Sequence, residues 1–332
     1  MPRIPRVARR AGAALALLAA AGEPALAADC RYTKFATLPV QLHGARVLLD
    51  GSINGAPQTM MVDSGSQGTW LPRKTAEQLS LALSHSGTYS IGTGGESKVY
   101  TAFVNDIKIG KVGWHGVNLE VTWDTDLPYG AIVGANFLFQ NDVEFSLRDK
   151  EIRFFEPKDC DNAFLGYWDK NAVAIRLDEM APDDLRPTVE ITVNGKKLRA
   201  LIDSGAPLTS IDVAAAARLG VTPQSPGVIA VGAVGGVGTH ENDAWMVPLD
   251  DITVGDETIS HPRILMLNLY GSLYKDEHAR WVGEYVEGQP PVILGEDFLR
   301  SHRLLFAMSQ HTLYFSYVGG VVFGAPAEER GN

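Results

Sequence analysis

The sequence predicts an all-β protein made of two homologous lobes with only short helices. Three observations lead there. Met61-Val62-Asp63-Ser64-Gly65 recurs 140 positions later as Leu201-Ile202-Asp203-Ser204-Gly205, and a repeat of that length means a duplicated unit. Each copy is preceded by a strand-like run, an Asn-Gly pair and a second run, which is the signature of a hairpin. Most of what remains is short β-rich runs cut by Gly, Asn and Asp.

Register between the copies decides where each element falls. At the offset of 140, Ala76 pairs with Ala216, Leu79 with Leu219, Gly92 with Gly232 and Gly95 with Gly235. The offset grows to 145 at Asp106-Ile107 and Asp251-Ile252, then to 161 at Ile132-Val133-Gly134 and Ile293-Leu294-Gly295. It holds from there through Phe137-Leu138 and Phe298-Leu299, Phe145 and Phe306, and Phe154 and Phe315. The second copy therefore carries insertions, the larger within about residues 267–290. In the first copy Val47 to Ile53 meets Asn54-Gly55 before Thr59 to Val62 runs into Asp63. In the second, Val189 to Val193 meets Asn194-Gly195 before Leu198 to Ile202 runs into Asp203. After each Asp a helix is predicted, over Pro72 to Leu83 and over Asp212 to Leu219 with Asp212 as N-cap. A brief helix is expected after Gly134 and after Gly295. The repeated phenylalanines sit on strand-like runs and are expected in the core.

Composition narrows the class of protein. With 45% hydrophobic and 20% charged residues in 332, the chain has an ordinary globular balance and length enough for two cores. A net charge of −10 argues against nucleic acid, whose binding rests on Lys and Arg neutralising phosphates. Residues 1–27 carry Arg3, Arg6, Arg9 and Arg10, an apolar stretch from Ala11 to Ala21 and then Ala25-Leu26-Ala27, the layout of a removable secretory signal. Its loss removes four of the 29 basic and one of the 39 acidic residues, which leaves −13. No other apolar run reaches the roughly 18 residues a membrane helix needs, so no span is expected in the mature chain. Export places the chain in an oxidising compartment, periplasmic or extracellular. Cys30 and Cys160, the only cysteines, are then expected to form a disulfide. A loop of about 130 residues closed this way adds about 4.7 kcal/mol in the chain-entropy model.

Two apolar residues followed by Asp-Ser-Gly, a glycine-rich turn 29 residues on, and a later apolar-apolar-Gly resemble the retropepsin-like aspartic peptidases. The resemblance covers roughly residues 38–156 and 186–317, with two lobes fused in one chain as in pepsins. It implies β-barrel lobes about a pseudo-two-fold axis with the active site between them, a monomer, a polypeptide substrate and no cofactor or metal. The expected layout is a signal peptide at 1–27, an N-terminal lobe at 38–156, a linker at 157–169, a C-terminal lobe at 170–318 and a tail at 319–332.

The same resemblance makes Asp63 and Asp203 the catalytic pair. Two carboxylates about 3 Å apart do not both ionise comfortably, so they share one proton. The ionised member would activate a water, and the protonated one would support the carbonyl oxygen. Gly65 and Gly205 let backbone approach the carboxylates, and Ser64 and Ser204 would cross-link the two loops. Serine where other members have threonine loses a methyl but keeps the donor. Gly92, Thr93, Gly94 and Gly95, with Gly232, Gly235 and Gly236, lack the Gly-Lys-Ser/Thr ending of a nucleotide loop. By position they resemble flap tips that close over a peptide. The eight His are scattered without ligand spacing, and no Gly-x-Ser-x-Gly occurs. A peptide-binding module using the same cleft without cleaving is the competing reading.

Overall fold

The computed structural model describes residues 30–124, 127–271 and 288–323. The expected signal segment and most of the larger insertion lie outside these residues. Among the described residues no helix is long and apolar enough to cross a membrane.

Two sheets form the lobes and a third joins them. The N-terminal lobe is an eight-stranded sheet drawn from strands between Gln41 and Thr122 together with Ala131–Val133; the C-terminal lobe is a nine-stranded sheet from Thr188 to Leu294. In each, the expected hairpin is present: Arg46–Ile53 pairs antiparallel with Ala56–Val62, and Thr188–Val193 with Lys196–Ile202. Asn54 and Gly55 have φ of 49° and 79°, and Asn194 and Gly195 have 46° and 72°. Positive φ at both central positions gives the turn its strand-matching twist, which is why Asn-Gly stands there. Each Asn also caps a neighbouring strand. The Asn54 side-chain oxygen accepts from the Asn105 and Asp106 amides, and that of Asn194 from Asp250 and Asp251.

The helices are shorter than predicted: Arg73–Gln78 and Val213–Arg218, each ended before a leucine. Asp212 caps the second by accepting from the Ala214 amide. Pro72 occupies the matching position in the first and provides no side-chain cap. The brief helices expected after Gly134 and Gly295 are Ala135–Leu138 and Glu296–Leu299.

The third sheet runs in the order Arg31–Pro39, Glu151–Lys158, Asp142–Ser146, His302–Ala307, Thr312–Tyr317, Val173–Arg176. Its central strands come one from each lobe and pair antiparallel, Val143 with Phe306 and Phe145 with Leu304. The repeat-related Phe145 and Phe306 meet edge to face at 5.5 Å, inside one hydrophobic core that runs through both lobes. Cys30 and Cys160 form a disulfide where the paired strands Arg31–Pro39 and Glu151–Lys158 end.

Two segments differ from expectation. The linker at 157–169 is packed, with Cys160, Ala163 and Leu165 buried against Leu305 and Tyr314. The tail beginning at 319 starts as folded chain: Phe323 is buried and stacks on Phe298 at 6.1 Å. In the first case scattered apolar residues among turn formers find cover on the joining sheet, and in the second on the short helix Glu296–Leu299, surfaces that the repeat alone does not reveal.

Candidate active site

Each Asp is placed by a parallel pairing at the centre of its lobe. Ala56–Val62 lies beside Ala131–Val133, and Lys196–Ile202 beside Val292–Leu294. The pairing extends one step into each loop, with the Asp63 amide on the Val133 carbonyl at 3.0 Å and that of Asp203 on Leu294 at 2.9 Å. The apolar-apolar-Gly motif needs its glycine because the loop crosses it. A Cβ at Gly134 would lie 2.1 Å from the Gly68 oxygen, and one at Gly295 2.5 Å from the Leu208 carbonyl carbon.

The two loops then meet across the lobe interface and grip each other. Ser64 Oγ donates to the Ile202 carbonyl at 2.8 Å and accepts from the Ser204 amide at 2.9 Å. Ser204 Oγ donates to Val62 at 3.0 Å and accepts from the Ser64 amide at 3.0 Å. Both serines are fully buried, so each hydroxyl satisfies a backbone amide and a carbonyl that water does not reach.

Within this frame the carboxyl groups of Asp63 and Asp203 are brought together, each lying against the glycine of the opposite loop and titrating with the other as one pair. One oxygen of each also accepts two amides, from Gly65 and Ser66 onto Asp63 and from Gly205 and Ala206 onto Asp203. A Cβ at Gly65 would lie 2.3 Å from the Asp203 carboxyl carbon, and one at Gly205 2.4 Å from that of Asp63. Only glycine allows the loops so close. Removal from water, and then the neighbouring Asp203 charge, hold Asp63 well above the usual carboxylate range. Burial also raises Asp203, against the opposing pull of its amide donors. Such a pair gives up its protons as a unit.

The glycine hairpins meet above, though not as the repeat implies. Gly92, Thr93, Gly94 and Gly95 form the tight turn between Leu83–Gly92 and Gly95–Ile109. Gly232 is not at a tip. It lies within the strand Ile229–Val234, at φ 101°, where the register with Asn242–Pro248 shifts by a residue. The second tip is the longer loop at residues 235–241. Gly236 approaches Thr93, but the hydrogen bonds come from residues that sequence reasoning missed. Gly94 N donates to Val237 O at 2.8 Å, His240 N to Gly94 O at 2.9 Å and Asn242 Nδ2 to Thr93 O at 2.8 Å.

Three further pairs went unread. Thr69 Oγ1 donates to Asn136 Oδ1 at 2.8 Å, and Thr209 Oγ1 to Asp297 Oδ1 at 2.7 Å; each hydroxyl also accepts the amide of the crossing glycine. Arg46 donates across the interface to the Gly205 carbonyl, and Arg186 donates to Asp184 and Gln289 within its own lobe. Thr69 with Thr209 and Arg46 with Arg186 keep the offset of 140, and Asn136 with Asp297 that of 161, so extending the repeat would have found all three.

A family model described as aspartyl protease matches residues 49–137 and 189–298, one stretch in each lobe and together more than half of the chain. The chain belongs to the aspartyl protease family. Among solved structures, the crystal structure of aspartic proteinase from Irpex lacteus superposes with a TM-score of 0.51 at 12% identity, covering 85% of this chain and 97% of that one. That likeness concerns the fold, two mostly β lobes about a shared cleft. No curated protein matches the sequence.

Proposed function

We propose that the chain is an aspartic endopeptidase in which Asp63 and Asp203 act as the catalytic pair. The observation that carries this is the meeting of the two carboxyl groups at the crossing of the Asp-Ser-Gly loops, each against the other loop's glycine and both buried. A singly protonated pair holds both functions the reaction needs. Its ionised oxygen takes a proton from a water as the water oxygen bonds to the peptide carbonyl carbon, while the protonated member passes its proton to the carbonyl oxygen. Return of a proton to the amide nitrogen then lets the C–N bond break, giving a carboxylic acid and an amine. Amides held on one oxygen of each carboxyl fix the orientation in advance, so little is reorganised during the step.

The substrate is an extended polypeptide lying between the loops and the glycine tips, which act as flaps and must part to admit it. The protein works as an exported monomer without a cofactor, in the periplasm or outside the cell. The disulfide and the N-terminal pattern support that placement.

Asp63→Asn and Asp203→Asn test the reading on a peptide library digested by the full chain. Each is expected to lower kcat/KM by at least about a thousandfold, because either removes the shared proton. Wild-type activity should trace a bell across acidic to weakly acidic pH and be blocked by a transition-state mimic bearing a central hydroxyl. Near-wild-type cleavage by either variant overturns the assignment. A wild type that retains peptides without cutting them would leave a binding module.

A further inference from the structure

Arg46 reaches the Asp203 loop without a carboxylate to neutralise it. It begins the strand Arg46–Ile53, and its Nη1 donates across the lobe interface to the Gly205 carbonyl at 2.5 Å. Gly205 is the residue that covers the Asp63 carboxyl, so this guanidinium is held on the loop that borders the pair. A guanidinium carries five N–H donors and has no neutral form to fall back on. Only the Gly205 carbonyl accepts from Arg46 among the described residues, and the group is half-buried. A cation partly stripped of water with most of its donors unanswered favours an incoming anion with a planar, two-oxygen face.

The other lobe shows what a satisfied counterpart looks like. Arg186, 140 positions on, donates Nε and Nη2 to the two oxygens of Asp184 at 2.8 and 2.6 Å, and Nη2 also reaches Gln289 Oε1 at 3.3 Å. Its charge is already met within its own lobe. No carboxylate does this for Arg46: the chain beside its partner is Gly205-Ala206-Pro207, and its own hairpin supplies His43, Gly44 and Ala45.

The geometry points to Arg46 as a specificity-determining residue that binds a carboxylate of the peptide substrate on one side of the scissile bond. This rests on the peptidase reading above and names the substrate class, peptides carrying an acidic group within a few residues of the cut. An extended strand advances about 3.3 Å per residue, so one position is selected and its neighbours, which point to the opposite face, are not. The carboxylate could be an Asp or Glu side chain or the peptide's own C-terminus; the chemistry is shared.

The test uses the full chain, matched peptides with Glu or Gln at each position around one cut site, and each peptide with a free or amidated C-terminus. At a pH where the peptide carboxylate is ionised, one position on one side should favour Glu over Gln by about tenfold in kcat/KM, the size of one charge-assisted contact. If amidation alone abolishes the preference, the group recognised is the terminal carboxylate. Arg46→Gln should bring the Glu/Gln ratio to about one, Arg46→Lys should retain its direction, and Arg46→Glu should invert it towards Lys. Arg186→Gln should leave the ratio as in the wild type. Should Arg46→Gln not fold, the Lys and Glu variants and the loss of the wild-type ratio at high salt still decide the matter. A wild type that cuts both series equally, or an Arg46→Gln enzyme that keeps the preference, overturns this assignment and leaves the peptidase reading standing. A wild type that cuts nothing overturns both.

Discussion

The two lobes keep the same inner frame and differ in what surrounds it. The Ser64 and Ser204 hydroxyls make four hydrogen bonds of nearly equal length across the interface, two between the serines and one each to Ile202 and Val62, and each Asp takes two amides on one oxygen. One shell further out the symmetry fails. Asn136 in one lobe is Asp297 in the other, Pro72 stands where Asp212 caps its helix, and Arg46 reaches a carbonyl where Arg186 closes on a carboxylate. The glycine tips differ as well, a four-residue turn facing a seven-residue loop. Duplication is retained where two carboxyl groups must meet on equal terms. It is released in the shell around them, where no such equality is imposed.

The sharpest way to break that comparison is to remove the grip one side at a time. Ser64→Ala and Ser204→Ala each strip a buried donor and a buried acceptor, leaving an amide and a carbonyl unanswered across the interface. Each should cost about 2–4 kcal/mol. The double variant should cost less than the two together, because the partner loops are already loosened by the first change. Denaturant midpoints would show this. Costs that differ strongly between the lobes, or that add fully, would mean that the grip is not a single cooperative unit.

Much of the inner frame was legible in the sequence because its chemistry is local. Asn-Gly demands positive φ at two adjacent positions, Asp-Ser-Gly supplies an acceptor, a hydroxyl and a bare backbone in order, and the second glycine sits where a loop must cross. Two copies in register then outweigh the ordinary reading of each as a turn. What stayed hidden depends on distance. Arg46 looks like any charged residue at a strand end until the loop 159 positions away is brought to it. The strand Val173–Arg176, at the edge of the joining sheet, is too short to declare its partner Thr312–Tyr317. Gly232 matched Gly92 in register, yet a shift in strand pairing carried it away from the tip.

The outer shell gives a smaller and deliberately unequal pair of effects. Thr69 and Thr209 are both buried and both hold the amide of a crossing glycine. They differ in the second bond, an amide oxygen in Asn136 and a carboxyl oxygen in Asp297 that also takes the Thr209 amide. Threonine to valine preserves shape and removes only the hydroxyl. Thr209→Val should therefore cost about 2–3 kcal/mol and Thr69→Val about 1–2 kcal/mol, since the Asp297 oxygen holds both the hydroxyl and the amide of Thr209 and losing one disturbs the other, whereas Thr69 loses a bond to a single amide oxygen. Equal losses in thermal unfolding would show that the exchange of Asn136 for Asp297 is energetically silent.

The smallest effect runs against function. Burial raises both Asp63 and Asp203 above the ordinary carboxylate value, and the Asp203 charge adds to the rise at Asp63, so the folded chain binds protons at the pair more tightly than the unfolded chain does. For a raised carboxyl the sign is fixed: its contribution to stability is in place below the unfolded value near 3.9 and is lost as pH rises through the folded one. At neutral pH the pair is a liability that the surrounding grip sustains. Asp63→Asn or Asp203→Asn keeps the oxygen that accepts the two loop amides and removes one of the two groups that compete for the proton. Each variant should then gain about 1–2 kcal/mol over the wild type at pH 7 and almost nothing at pH 3, while losing cleavage. Because the protons belong to the pair, the two gains should agree within about 0.5 kcal/mol. Urea midpoints at the two pH values measure this, with other titrating groups cancelling between variant and wild type. A gain confined to one lobe would place the strain on a single residue, and a gain that grew towards pH 3 would mean that the carboxyl groups are not held above their ordinary range.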